Sequence, residues 1–189
     1  MENHKFLFWQ PERDLLKTLL GLDKGKYILI FFNYIIWIFL FYISYLLVKN
    51  DINSFWQLLI AVVSTEIVER YVKKKIYWRR PLFNRKDKTP PGLVDKWYKT
   101  GSFPSGHTIK SVYYLLFIIQ YQVFGPIAFI SIITPLLLFR VLMGFHYPID
   151  IVGGVVIGVI SWFITKNIVF PDFANNFIQP IFNFFFLIH

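Results

Sequence analysis

The chain is 189 residues long, 56% hydrophobic and 21% aromatic, with 22 phenylalanines and a formal net charge of +9. One domain of this length cannot hide so much apolar surface from water, so the composition excludes an ordinary soluble protein and indicates a membrane protein. The charge does not suit a nucleic-acid binder either: 12 of the 20 lysines and arginines crowd into residues 70–110, between apolar runs, and five more into residues 1–26. Anionic lipid headgroups or a phosphorylated lipid fit that distribution better.

Residues 6–22 set Leu15, Leu16, Leu19, Leu20 and Leu22 at helical spacing among Glu12, Arg13, Asp14 and Lys17, which predicts an amphipathic helix on the membrane surface. Residues 1–26 form an N-terminal interfacial segment with charges throughout. No small-residue cleavage site follows the first apolar run, so no cleaved signal peptide is expected. Residues 27–189 form the transmembrane domain. Its first uncharged stretch, residues 27–48, matches the ~20 residues of a crossing helix.

Residues 55–72 read as a second span with Glu66, Glu69 and Arg70 at its far end. The pairs Glu66/Arg70 and Glu69/Lys73 stand four apart, so each can neutralise itself and support the neighbouring segment. Residues 73–105 are polar and basic, punctuated by Pro81, Pro90, Pro91, Gly92, Gly101 and Pro104, a loop of functional length. Three further spans are expected at 108–124, 127–145 and 150–170, with Gly125-Pro126 as a turn and Gly153, Gly154 and Gly158 allowing close packing. Residues 173–188 are a sixth, marginal span or an interfacial helix. The count is an all-α bundle of five to six transmembrane helices, and it brings every polar segment to one membrane face.

Three segments on that face carry chemistry. Lys73 and Arg80 lie seven residues apart, about two helical turns, so a helix continued past the second span would point both one way until Pro81 stops it. In Pro104-Ser105-Gly106-His107, Ser105 is a natural N-cap, Gly106 permits close backbone approach, and the helix-start amides can cradle an anion. His107 is placed as a proton donor. Pro148 begins a helix with Asp150 in its first turn and His146 just outside, so the carboxylate can hold one imidazole nitrogen while the other attacks. Arg140 lies six residues before His146 in an apolar run, where an unpaired cation is costly. Each segment alone is ordinary helix-end chemistry; together they supply three cations, two histidines and a carboxylate for one anion. There is no cysteine, no cluster with metal-ligand spacing and no nucleotide-binding fingerprint, so neither metal nor cofactor is expected. The chemistry implied is phosphoryl transfer through a histidine.

These segments resemble the type 2 phosphatidic acid phosphatase superfamily, related to bacterial acid phosphatases and vanadium haloperoxidases. The family pattern is Lys, six residues, Arg-Pro; then Pro-Ser-Gly-His; then Ser-Arg, five residues, His, three residues, Asp. Here it reads KKKIYWRRP from Lys73, PSGH from Pro104 and FRVLMGFHYPID from Phe139, over roughly residues 66–160. The resemblance implies the family's helical phosphatase core, a phosphohistidine on His146 oriented by Asp150, and His107 as acid and then base. It further implies phosphoryl oxygens held by Lys73, Arg80, Ser105, Gly106 and Arg140. Phe139 stands where the family has serine.

A phosphorylated membrane lipid would be the substrate and the bilayer a second partner, with no nucleic acid. Bacterial members that look like this act on lipid A 1-phosphate, phosphatidylglycerol phosphate, undecaprenyl pyrophosphate or phosphatidic acid. The basic loop, with Lys86, Lys88, Lys96, Lys99, Trp97 and Tyr98, would suit a bulky anionic headgroup. Seventeen of the 20 basic residues lie in residues 1–26 and 70–110, on the motif face, which by the positive-inside rule is cytoplasmic. Several of those cations are binding residues, and the bacterial relatives place the site on the periplasmic, outer face of the inner membrane, which is the expectation adopted. A phosphotransferase of the same chemistry, or a non-catalytic transporter or lipid-binding protein, are the alternative readings.

Overall fold

The computed structural model describes residues 6–11, 15–84 and 100–186; the loop lysines, Trp97 and Tyr98 lie outside that set. Regular structure among the described residues is all helical: α1 (Leu15–Leu20), α2 (Gly25–Asn50), α3 (Asn53–Lys74), a 3-10 turn (Pro81–Asn84), α4 (Gly106–Tyr121), α5 (Pro126–Leu142), α6 (Pro148–Thr165) and α7 (Asp172–Phe186). Prolines set two starts: Pro126 follows an extended Gly125, and Pro148 follows an extended Tyr147 at ψ 158.

Among the described residues two helices are long and apolar enough to cross a membrane, Tyr27–Asn50 and Pro148–Thr165. Only 22% and 28% of their apolar windows are buried inside the protein, whereas the core helix of a soluble protein would be mostly covered. Ile38 is 70% exposed and Phe163 65%, a lipid-facing surface in which only helices satisfy their own backbone. The protein is a membrane protein. α4 and α5 have 16 and 17 residues, short of the ~20 of a full crossing.

The core joins α2, α3, α4 and α5 through Ile36, Ile43, Ala61, Tyr113, Phe117 and Phe129, all essentially inaccessible. The tightest packing sets α6 on α4. A Cβ at Gly158 would lie 2.7 Å from the Ile109 carbonyl oxygen, and one at Gly154 2.7 Å from Thr108 Cβ and 2.9 Å from the Ser105 oxygen. The glycines therefore let the start of α4 lie against the start of α6.

One expectation changes. The second span does not continue as a helix to Arg80: α3 ends at Lys74 and Ile76 takes a left-handed φ of 42°. The flanks of the basic loop then pair with each other, Gly101 N–H donating to the Lys73 carbonyl and Ser102 N–H to the Trp78 carbonyl, each at 3.3 Å. Arg80 reaches the site on a folded loop. In the N-terminal segment the described helix is Leu15–Leu20, and Leu15, Leu19 and Leu20 pack on a cluster of Leu29, Leu82, Met143 and Phe145.

α7 crosses the start of α3: Asn175 accepts from Trp56 Nε1 at 3.0 Å and Phe182 meets Phe55 at 5.2 Å. Residues seven apart on α7, roughly two turns, thus touch adjacent residues of α3.

Candidate active site

His146 sits in the short link between α5 and α6. Gly144, at φ 75°, makes a left-handed turn that side chains rarely adopt, and its carbonyl accepts from Leu82 N–H at 3.1 Å. Asp150, in the first turn of α6, is completely buried. Its Oδ2 accepts from Tyr147 N–H at 2.8 Å and lies 3.3 Å from His146 Nδ1, while its Oδ1 accepts from Trp78 Nε1 at 2.9 Å. The carboxylate is thereby fixed, and it fixes the imidazole. Burial, with Arg80, Arg140 and Lys73 close enough to oppose a further positive charge, holds the His146 imidazole well below its ordinary value. At neutral pH it is uncharged.

The two arginines are both buried. Arg80 donates from Nη1 to the Phe145 carbonyl at 3.0 Å and from Nη2 to Thr100 Oγ1 at 3.4 Å, so the residue before His146 is tied to the end of the first motif. Burial draws Arg80 down to about 10, partly countered by Asp150 and Glu69, and it stays protonated. Arg140 donates from Nη1 to Asn33 Oδ1 on α2 at 2.7 Å, and its guanidinium lies 5.5 Å from the Phe145 ring centre.

The second motif is joined to the third through Ser105, whose N–H donates to the Asp150 carbonyl at 3.1 Å. Ser105 caps α4 from an extended conformation, its Oγ accepting from Thr108 Oγ1 at 2.9 Å. His107 Nε2 is buried and meets no hydrogen-bond partner among the described residues, and the ring tilts against Trp37 at 5.1 Å. The side of Gly106 where a Cβ would stand is filled by the Glu69 carboxylate.

Glu69 also bonds Lys73 through Oε1, and its Oε2 accepts from Lys110 Nζ at 3.1 Å. Lys110, buried, reaches Glu66 Oε2 as well, at 3.2 Å, and Glu66 Oε1 accepts from Arg70 Nε at 2.9 Å. All eight residues singled out from sequence therefore gather at one end of the bundle. Sequence reasoning did not single out Lys110, Asn33, Trp37 or Trp78; of these, Lys110 and Asn33 carried a signal, as polar residues inside apolar runs. Phe139 stacks on Phe32 of α2 at 4.7 Å and packs on the Leu29–Phe145 cluster, an apolar contact that a serine could not make. Phe8 closes the N-terminal side, edge-on to Trp78 at 5.3 Å and to Tyr147 at 5.4 Å.

The arrangement offers an uncharged, oriented imidazole beside cations Lys73, Lys110, Arg80 and Arg140, against carboxylates Glu69 and Asp150. Glu66 and Arg70 cancel at the rim. Among the described residues no three His, Cys, Asp or Glu side chains gather as a metal-ligand set.

A family model described as the PAP2 superfamily matches residues 54–174, which include all three motifs and most of the chain. Among solved structures, the chain is similar to a transmembrane PAP2-type phosphatidylglycerolphosphate phosphatase from Bacillus subtilis. The two are 18% identical with a TM-score of 0.45, over 87% of this chain and 80% of that one. No curated protein matches this chain.

Proposed function

The chain belongs to the PAP2 superfamily, and on that footing we propose that it is an integral-membrane lipid phosphatase that works through a phosphohistidine without a metal ion. One observation carries the reading: an excess of two positive charges, four cations against two carboxylates, gathers around an imidazole held by Asp150. A phosphomonoester carries about −1.5 to −2 at neutral pH, so a terminal phosphate balances that excess.

With Nδ1 turned to Asp150, Nε2 of His146 attacks phosphorus. The N–P bond forms as the P–O bond to the lipid breaks, and His107 gives its proton to the leaving oxygen. His107 then takes a proton from water, whose oxygen attacks phosphorus and releases His146 and inorganic phosphate. Arg80, Arg140, Lys73, the Ser105 hydroxyl and the Gly106 amide stabilise the charge on the equatorial oxygens.

In this reading α2 to α6 are five spans, residues 1–26 lie at the interface and residues 27–189 form the phosphatase domain. The site faces the periplasmic side of a bacterial inner membrane. Lipid A 1-phosphate, phosphatidylglycerol phosphate, undecaprenyl pyrophosphate and phosphatidic acid are the candidate substrates.

The test is phosphate release from those four lipids by detergent-purified wild type and His146→Ala, with and without EDTA. Release that survives EDTA and disappears in the variant supports the reading. No release from any lipid, or equal release by the variant, overturns it.

A further inference from the structure

Glu69 occupies an unexpected position. Its carboxylate bonds Lys73 and fills the space beside Gly106, so an anion already touches two of the residues assigned to the phosphoryl group. The contact follows from local structure: Glu69 and Lys73 lie one turn apart on α3, and the absent side chain of Gly106 leaves room for the carboxylate at the start of α4. There the helix-end amides favour negative charge. Glu69 has a second partner that the sequence pattern does not reveal, Lys110, at 3.1 Å and buried. Because Oε1 serves Lys73 and Oε2 serves Lys110, the carboxylate can release the first cation and keep the second.

We propose that Glu69 is a specificity-determining residue: it holds Lys73 and the Gly106 recess in the resting enzyme, and yields them to a phosphate with two negative charges but not to one with a single charge. This rests on the phosphatase reading above. The physical need comes from the surroundings. A site with four cations at a membrane surface faces a large excess of phosphodiester headgroups, each with one negative charge, which would block it as unreactive ligands. A carboxylate has the same single charge as a phosphodiester and is covalently held in place, so its local concentration is high. A phosphomonoester dianion gains roughly twice the Coulombic attraction from Lys73, Arg80 and Arg140 and displaces it toward Lys110. A terminal phosphate also lacks the second arm of a phosphodiester, which would have to share the site with the Glu69 carboxylate.

The experiment measures binding of methyl phosphate and dimethyl phosphate to detergent-purified wild type, Glu69→Gln and Glu69→Asp by calorimetry at pH 7.5, with a melting curve for each variant. Wild type is expected to prefer methyl phosphate by about tenfold or more, equivalent to about 1.4 kcal/mol. In Glu69→Gln the preference collapses because the diester binds more tightly. Glu69→Asp, which draws the charge back from Gly106 but keeps it near Lys110, shifts the ratio in the same direction by less, and it decides the matter if the Gln variant does not fold. An unchanged ratio in a folded variant, or weaker binding of both ligands, overturns the proposal. A wild type that discriminates between the two ligands but hydrolyses no lipid phosphate contradicts the phosphatase reading alone; active wild type with an unaltered ratio in the variants contradicts this inference alone.

Discussion

At the end of the bundle remote from His146, two buried amides close a polar network completely. Gln57 Oε1 accepts from Tyr121 at 2.8 Å, and its Nε2 donates to the carbonyls of Ile168 at 2.9 Å and Lys166 at 3.2 Å. Asn53 donates to the Ile168 carbonyl at 2.9 Å and accepts from Phe170 N–H at 2.8 Å. At the His146 end most of the buried groups are charged, His107 Nε2 meets no hydrogen-bond partner among the described residues, and the sum does not cancel. The first network needs nothing further and clamps the α6–α7 link to α3. In the proposed reading the second is balanced by the phosphate of the substrate. Burial and hydrogen bonding alone do not separate structural from functional polar groups; the residual charge does.

The comparison breaks if charge at the His146 end proves dispensable. Arg140→Gln, which keeps a polar head but loses the cation, should lower kcat/KM on a lipid phosphate by about 10²–10³ while the melting temperature moves little. A large loss of melting temperature with little loss of activity would make Arg140 structural.

At the opposite end the expectation reverses. Gln57→Leu takes the amide acceptor from the Tyr121 hydroxyl and one of two donors from each of the Ile168 and Lys166 carbonyls, which keep Asn53 and Gln120, and should cost about 1 kcal/mol of stability, read as a lower melting temperature in detergent, with kcat unchanged. A kcat effect would mean that the two ends are coupled.

The smallest effect concerns pH. Folded His146 resists protonation, whereas an unfolded imidazole titrates near 6.5. Below that pH the unfolded chain takes up a proton that the folded chain does not, so stability is intact above 6.5 and is lost as pH falls, by at most about 1.4 kcal/mol per unit. Melting temperatures from pH 7.5 to 5 should therefore fall more in wild type than in His146→Asn, and equal slopes would show that His146 is not held neutral.

Much of the site was legible because its signals are local. Ser105 before Gly106, Pro148 after Tyr147, and Asp150 four residues past His146 define helix starts from the sequence itself, and Gly154 and Gly158 announce the contact that joins the second motif to the third. Arg140 declared itself as a cation in an apolar run. What stayed hidden depends on contacts between distant segments. The route to Arg80 is set by Gly101 and Ser102 pairing back onto Lys73 and Trp78, so a simple count of helical turns placed Lys73 and Arg80 on one helix that does not exist. Trp78 acquires meaning only where its indole meets Asp150, 72 residues on. Lys110 carried the same signal as Arg140 but lies within the basic block by sequence, and only Glu66 and Glu69 across the helix interface single it out.

The most direct measurement is chemical trapping of the intermediate. Wild type mixed with a lipid substrate labelled in its terminal phosphate is quenched in alkali within the first turnover, and the labelled peptide is mapped. The account predicts acid-labile, base-stable label on the peptide containing His146, absent from His146→Ala. Label on another residue, or full turnover with no label on the protein at any time, would contradict it.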